Sequence, residues 1–243
     1  MKAVMDTPWL SQSHIEVAAQ QLLVACFGTT TPSYPVDIEE IVYEYLYRRD
    51  DLCFCDEEDL GVDDEGNDIL GKMLPRAGKI FVTSRLKGEP NKGRYRFTGG
   101  HEIGHWELHR GHLLAILDQP TLFTGEPAVD EPVIAYRHSV FPLGPAASTS
   151  RREYQANRFS IALLVNPAAL RTELEARFGG APAYHRLAPA ELRRPSLRGF
   201  AMAIASQRRA GLPSLSEAFG ISKEAMAIAL EEYGFVSEME PLL

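Results

Sequence analysis

The sequence is poor in cysteine, and its three cysteines stand at the irregular positions 26, 53 and 55. This scarcity excludes a small scaffold held together by disulfides. The chain also lacks an apolar run long enough to span a bilayer, and its first residues contain no apolar core of the kind that a signal peptide has. From these absences we expect a cytoplasmic protein with no membrane partner.

An excess of positive charge is missing as well. The formal net charge is −8 at pH 7, which argues against a protein that binds nucleic acid over its whole surface. The charges are unevenly distributed, because residues 1–70 are strongly acidic whereas residues 71–98 and 171–210 are basic. Either these surfaces are solvated and compensate one another, or a local basic face binds an anion.

The most informative stretch runs from residue 96 to residue 109 and reads RFTGGHEIGHWELH. Two histidines, His101 and His105, stand four positions apart, so on an α-helix both imidazoles share one face and can meet one ion. Glu102 is turned slightly away, where a carboxylate can take a proton from water. The pattern predicts a buried helix with a zinc site, in which the small Gly104 allows close packing. A chance meeting of polar residues on a solvated face is the alternative.

A third protein ligand is expected, because catalytic zinc sites commonly use three and keep a fourth position open. His109 is two turns from His101 and is predicted to be a partly buried residue near the helix end, and His112 is predicted to lie in a loop. Glu153, in the first turn of a second predicted helix, is the better candidate. Asn157 follows one turn later and could accept the ring N–H of a ligand histidine. Alternatively, Glu153 only stabilises the positive end of its helix.

These residues together resemble the ImmA/IrrE family of metallopeptidases. The resemblance covers about residues 36–167 and rests on Phe97-Thr98, the HExxH motif, a histidine four positions later, Glu-x-x-Ala-Asn-x-Phe from residue 153 and Leu-Leu-x-x-Pro ending at residue 167. By position it implies that His101, His105 and Glu153 bind zinc and that Glu102 is catalytic. Gly99-Gly100 departs from the family, which often has Leu-Ala, and each glycine costs a helix about 1 kcal/mol relative to alanine. The start of the helix is therefore in doubt.

Hydrophobic periodicity predicts an α+β fold. Two helices come first, one opening at a capping box from Ser13 to Glu16 and ending at Gly28, and one starting at Asp37. Strands at 52–55, 69–74 and 79–84 are expected to form a small, mainly antiparallel sheet that packs on the metal helix and the Glu153 helix. In zinc peptidases of this general build, an edge strand near the active-site helix pairs with extended substrate, and the resemblance implies this edge position for the strand at 80–83. A basic loop over residues 85–96 is expected next.

Residues 113–150 contain five prolines and predict a long excursion with little regular structure, which could cover a cleft. Tyr136, Arg137 and His138 lie in this excursion and are candidates to stabilise an oxyanion. The remainder of the chain is predicted to be helical. We expect a metallopeptidase domain over residues 1–170 and a helical region over residues 171–243.

The C-terminal region has a helix–turn–helix cadence over residues 215–230, with Gly220 at the turn. Its second helix, over residues 223–232, holds one lysine and three glutamates. Phosphates would repel these carboxylates, so a packing role is favoured. The arginine-rich segment before it is the better nucleic-acid candidate. Its expected contacts are Arg193, Arg194 and Arg198, and the expected ligand is single-stranded DNA acting as an activating signal.

The leading expectation is a zinc endopeptidase. The resemblance implies that its substrate is a helix–turn–helix transcriptional repressor, whose cleavage derepresses a stress, phage, mobile-element or defence operon. One alternative is a DNA-binding regulator with a structural zinc site, and another is an interaction protein that senses a ligand without hydrolysis. Glu102 argues against both alternatives, since a structural site has no need of that carboxylate. A cysteine could mask the zinc, but nothing in the sequence selects which one.

Overall fold

The chain divides into two compact units. The computed structural model describes residues 7–118, 134–137, 148–178 and 197–236, with the backbone alone described for residues 134–137 and 148–150. One unit combines Met1–Thr30 with Asp37–Leu163, and the other combines Thr31–Val36 with Leu164–Leu243. Helix α5 (Pro167–Phe178) packs against helix α7 (Leu215–Phe219) inside the second unit. The predicted domains over residues 1–170 and 171–243 stay a prediction. Helices with one small sheet confirm the predicted α+β class.

Helix α1 (Gln12–Phe27) begins one residue before the predicted capping box. The side chain of Ser11 accepts a hydrogen bond from the backbone N–H of His14 at 3.2 Å, so Ser11 is the N-cap and the predicted cap at Ser13 is wrong. The predicted end at Gly28 is confirmed, since this glycine has a φ of 71° and its N–H bonds the carbonyl of Val24.

The second predicted helix is wound more loosely than expected. The carboxylate of Asp37 accepts from the backbone N–H groups of Glu39 and Glu40, as its capping position predicted. A π-helical segment, Glu40–Leu46, then leads into one α-helical turn, α2 (Tyr47–Asp50). This segment contributes three buried side chains to the core of the first unit, those of Ile41, Val42 and Leu46.

Within the described ranges, four strands form one sheet in the order β1-β3-β2-β4. They are β1 (Cys53–Cys55), β2 (Ile69–Leu74), β3 (Lys79–Val82) and β4 (Ile134–Arg137). The predicted edge position of residues 80–83 is wrong, because β3 pairs in parallel with β1 and antiparallel with β2. The prediction of little regular structure over 113–150 is also wrong at β4, which pairs antiparallel with β2. Two of the three pairings are antiparallel, as predicted.

Helix α3 (Lys92–Leu117) carries the HExxH motif and packs on β2 and β3. It begins well before Gly99, so the two glycines lie inside the helix rather than at its start. Short 3₁₀ turns at Ser84–Leu86 and Glu89–Asn91, followed by the start of α3 at Lys92, replace most of the predicted basic loop. His112 lies in the helix, so its predicted loop position is wrong. Gly99 has a packing reason, because a Cβ at this position would lie only 2.4 Å from Cδ1 of Ile38.

Helix α4 (Ser148–Leu164) carries the second predicted motif, and the second unit contains α5, α6 (Leu197–Ser206), α7 and α8 (Lys223–Glu232). The turn between α7 and α8 is at Gly220, where the sequence placed it. Every side chain of α8 from Ala225 to Leu230 is buried. This burial supports the packing role, because a helix that reads DNA needs an exposed face. Among the described helices, none is long and apolar enough to cross a membrane.

Candidate metal centre

A glycine brings the two motif-bearing helices into close contact. A Cβ on Gly104 of α3 would lie 3.0 Å from Cβ of Phe159 and 3.1 Å from the carbonyl oxygen of Ala156, both on α4. Ser160 of α4 donates a hydrogen bond to the carbonyl of Phe97 in α3 at 2.8 Å. The close packing predicted for Gly104 is therefore present, and it sets the side chains of α3 and α4 against one another.

Three side chains meet at this contact. Nε2 of His101 lies 3.2 Å from one carboxylate oxygen of Glu153, and Nε2 of His105 lies 3.3 Å from the other. Ligand atoms about 2.0–2.1 Å from a tetrahedral ion are separated by about 3.3 Å from one another. His101, His105 and Glu153, with all ligand atoms within 4.8 Å of one another, therefore form a group that could hold a metal ion. Both histidines are buried, whereas Glu153 is 21% exposed.

Asn157 holds His101 in the form that binds a metal. Oδ1 of the asparagine lies 2.8 Å from Nδ1 of the imidazole. A carbonyl oxygen can only accept a hydrogen bond, so Nδ1 carries the proton and Nε2 presents its lone pair towards Glu153. The role expected for Asn157 from its spacing to Glu153 agrees with this contact.

His105 is held by a different set of groups. Its Nδ1 lies 3.0 Å from Nδ1 of His109, and Nε2 of His109 lies 2.8 Å from Oε1 of Gln155. His109 is 1% exposed and lies well inside α3. The prediction of a partly buried residue near the helix end is wrong, because the helix continues to Leu117. Histidines at 101, 105 and 109 share one helix face, and this spacing was the available signal for a role of His109.

The carboxylate of Glu102 lies in a tight space between α3 and the sheet. Glu102 is 0% exposed, and within the described ranges neither of its oxygens has a hydrogen-bond partner. A Cβ on Gly71 of β2 would meet one of these oxygens at 2.5 Å and Cγ2 of Thr98 at 2.9 Å. A buried carboxylate without a partner is costly to a fold and therefore indicates a further ligand, a proton or a function. Nothing in the sequence indicated the contact with Gly71, which arises from packing between distant segments.

The protonation states suit metal binding. Burial raises the pKa of Glu102 well above its ordinary value, and the charge of Glu153 raises it further. Burial opposes ionisation of Glu153, but the two ligand histidines outweigh this effect and lower its pKa. Burial lowers the pKa of His105 more than Glu153 raises it. Burial, and next the adjacent His105, lower the pKa of His109 to about 3, so its ring is neutral at neutral pH. Neutral imidazoles and an ionised carboxylate are the forms that bind cations.

The other predicted residues do not join this centre in the described part of the chain. Arg198 forms an ion pair with Glu231 in the second unit, which reduces the charge it can offer to a nucleic acid. Arg193 and Arg194 lie outside the described residues, so their contacts with single-stranded DNA stay a prediction. The oxyanion candidates at 136 and 137 belong to β4 with undescribed side chains, and residue 138 lies outside the description. The metal-ion group contains no cysteine within the described ranges.

Comparison with known protein families found no match to this chain. Among curated proteins, a glucose-1-phosphate adenylyltransferase from Photobacterium profundum is 34% identical over 92 residues. The matched segment covers 33% of this chain and only 22% of that protein. Such a partial likeness assigns neither a family nor an activity to this chain.

Proposed function

We propose that this chain is a zinc-dependent endopeptidase of the cytoplasm, with His101, His105 and Glu153 as the zinc ligands and Glu102 as the catalytic residue. The observation that carries the proposal is the Glu102 carboxylate, which is buried and has no hydrogen-bond partner among the described residues. It adjoins His101 in the same helix as two of three side chains whose ligand atoms are separated as they would be around a tetrahedral ion. The donor set of two imidazoles and one carboxylate is the one that hydrolytic zinc sites use.

The protein's own groups provide the acid–base chemistry. A bound zinc ion supplies Lewis acidity and makes water acidic enough to be deprotonated near neutral pH. Glu102 would take a proton from water while the water oxygen bonds to the peptide carbonyl carbon. It would return that proton to the amine nitrogen as the C–N bond breaks. Its burial raises its pKa, and a carboxyl with a raised pKa accepts and returns a proton more readily near neutral pH. The partly exposed Glu153 leaves a side of the centre open to substrate among the described residues.

The substrate class follows from the resemblance to ImmA/IrrE peptidases. We propose that the substrate is a helix–turn–helix repressor, encoded beside this chain, that controls a stress, phage, mobile-element or defence operon. The edge strand β4 pairs with β2 beside Gly71, and Gly71 contacts Glu102. An extended substrate added to the edge of β4 that no described strand occupies would therefore run near the Glu102 carboxylate.

The alternative is a regulator or ligand-sensing protein in which zinc is purely structural. A structural site is closed by a fourth protein ligand, whereas in the described ranges the metal-ion group has three members. X-ray absorption at the zinc edge separates the two functions. A third imidazole, counted by its multiple scattering, or a sulfur ligand favours the structural site, whereas two imidazoles with only further light-atom ligands favour the enzyme.

Cleavage is tested by incubating the zinc-loaded protein with each adjacent repressor and measuring intact masses. Glu102→Gln removes the proposed acid–base group, and Glu107→Gln is the matched control, because Glu107 lies on the same helix and pairs with Arg49. We expect fragments from the unaltered protein and the control, and none from Glu102→Gln or after chelation. Equal cleavage by both variants would contradict the role of Glu102.

A further inference from the structure

The N-terminal segment is bound to the helix that carries Glu153. Nη1 of Arg151 donates to the carbonyl of Thr7 at 2.8 Å, and Nε2 of Gln155 donates to the carbonyl of Pro8 at 3.0 Å. The ring of Trp9 stacks on the ring of Tyr154, with centroids 6.0 Å apart and planes 11° from parallel. We call residues 7–9 the N-terminal clasp.

The clasp determines the orientation of the Gln155 amide. The carbonyl of Pro8 can only accept a hydrogen bond, so the amide nitrogen of Gln155 must face it. The amide oxygen is thereby left facing Nε2 of His109, at 2.8 Å. Without the clasp, the same amide could turn over and present its nitrogen to His109 instead.

This orientation decides which ring nitrogens carry protons. Because Oε1 of Gln155 only accepts, Nε2 of His109 must be protonated, and its Nδ1 then holds a lone pair. Nδ1 of His105 lies 3.0 Å from Nδ1 of His109 and must be the donor in this hydrogen bond. Nε2 of His105 is therefore unprotonated, and it lies 3.3 Å from an oxygen of Glu153, about the separation of two ligand atoms on one tetrahedral ion. The opposite tautomer would place a proton where the metal has to bind.

We propose that His109 and Gln155 are positioning residues, and that the N-terminal clasp selects the metal-binding tautomer of His105 through them. The tautomer of His101 is set directly by its hydrogen bond to Asn157. The tautomers of the two proposed ligand histidines are therefore set by different groups. The inference rests on the metal site of the proposed function, but it does not need the site to be catalytic.

The first test compares zinc affinity among three variants of α4 in the full-length protein, by competition with a chromophoric chelator. Gln155→Met keeps the shape of the side chain but removes both hydrogen bonds, and we expect about 10- to 100-fold weaker zinc binding. Gln155→Glu still accepts from His109 but cannot donate to Pro8, so we expect zinc affinity close to that of the unaltered protein. Ser160→Ala removes a buried hydrogen bond from α4 to α3 that touches neither ligand, and is the matched control.

The second test is nitrogen-15 NMR of the imidazoles in the metal-free, unaltered protein, which needs no variant to fold. We expect His105 to carry its proton on Nδ1 and His109 to carry its proton on Nε2. A proton on Nε2 of His105, or equal zinc affinity in Gln155→Met and Ser160→Ala, would overturn the proposal. Both readouts are independent of cleavage. A protein with the expected tautomers and affinities but no peptidase activity would refute the proposed peptidase function. It would leave the proposed selection of the His105 tautomer intact.

Discussion

Replacing Gly71 by alanine should disturb the Glu102 carboxylate, the proposed catalytic group, without touching any of the three proposed metal ligands. The new Cβ would lie 2.5 Å from Oε1 of Glu102 and 2.9 Å from Cγ2 of Thr98. Carbon and oxygen atoms in normal contact are about 3.3 Å apart, so the carboxylate has to move by about 0.8 Å. A misplacement of about 1 Å at a reacting group can cost about 100-fold in rate. We expect Gly71→Ala to cleave about 10- to 100-fold more slowly and to bind zinc as tightly as before.

The same variant should also be less stable. Inserting a methyl group into a packed interior typically costs about 1–3 kcal/mol, and here both nearest side chains are buried against the sheet. The free energy of unfolding of the metal-free protein, measured in urea, gives this cost independently of any activity. The cause is crowding, since the backbone of Gly71 is not among those with a positive φ in the described residues.

Two glycines of α3 provide controls. A Cβ on Gly99 meets the end of the Ile38 side chain, which can rotate away, and a Cβ on Gly111 meets nothing within 4 Å. Alanine favours a helix by about 1 kcal/mol over glycine, so Gly111→Ala should stabilise the protein and leave cleavage unchanged. If Gly71→Ala unfolds at the same urea concentration as Gly99→Ala and cleaves at the parent rate, the tight contact with Glu102 is refuted.

Three further predictions concern the ligands, the acid–base group and the pH response. Changing His101 or His105 to alanine should strongly reduce zinc retention, which elemental analysis of the purified variants measures; full zinc content in both would contradict the assigned ligands. Glu102→Gln should keep its zinc and lose about 10²–10⁴-fold in cleavage rate, measured with a fixed repressor substrate. Hydrogen bonds from Arg208, then from the cap of α7, lower the pKa of Glu217 from 4.5 to about 2. Its contribution to stability is therefore complete above pH 4.5 and is lost as the pH falls towards 2, and Glu217→Gln should remove this acid dependence in urea unfolding between those values.

The local part of the candidate site could be predicted from the sequence. Helical spacing alone places His101 and His105 on one face, and it also places Asn157 one turn beyond Glu153. These relations depend only on the geometry of a single helix, which is why they agree with the structure. The turn at Gly28 and the strand over 69–74 follow in the same way from local backbone preferences.

The remaining features depend on contacts between distant segments. Periodicity identified the strand at β3 but not its neighbours, so the parallel pairing with β1 and the presence of β4 were missed. The role of His109 depends on Gln155, which lies on another helix, and on a carbonyl near the N-terminus. The crowding at Gly71 likewise involves two elements that approach only in the folded chain. A single sequence contains no direct signal for such pairings.

The origin of the metal ligands on two separate helices has a consequence for the lifetime of the protein. About 50 residues of chain separate His105 from Glu153, so the complete ligand set exists only in the folded state. With zinc bound as proposed, the ion would stabilise that state, and each tenfold rise in free zinc above its dissociation constant would add about 1.4 kcal/mol to the free energy of unfolding. Zinc-starved cells would therefore hold a larger unfolded fraction for their proteases to degrade, which makes zinc supply a control on abundance.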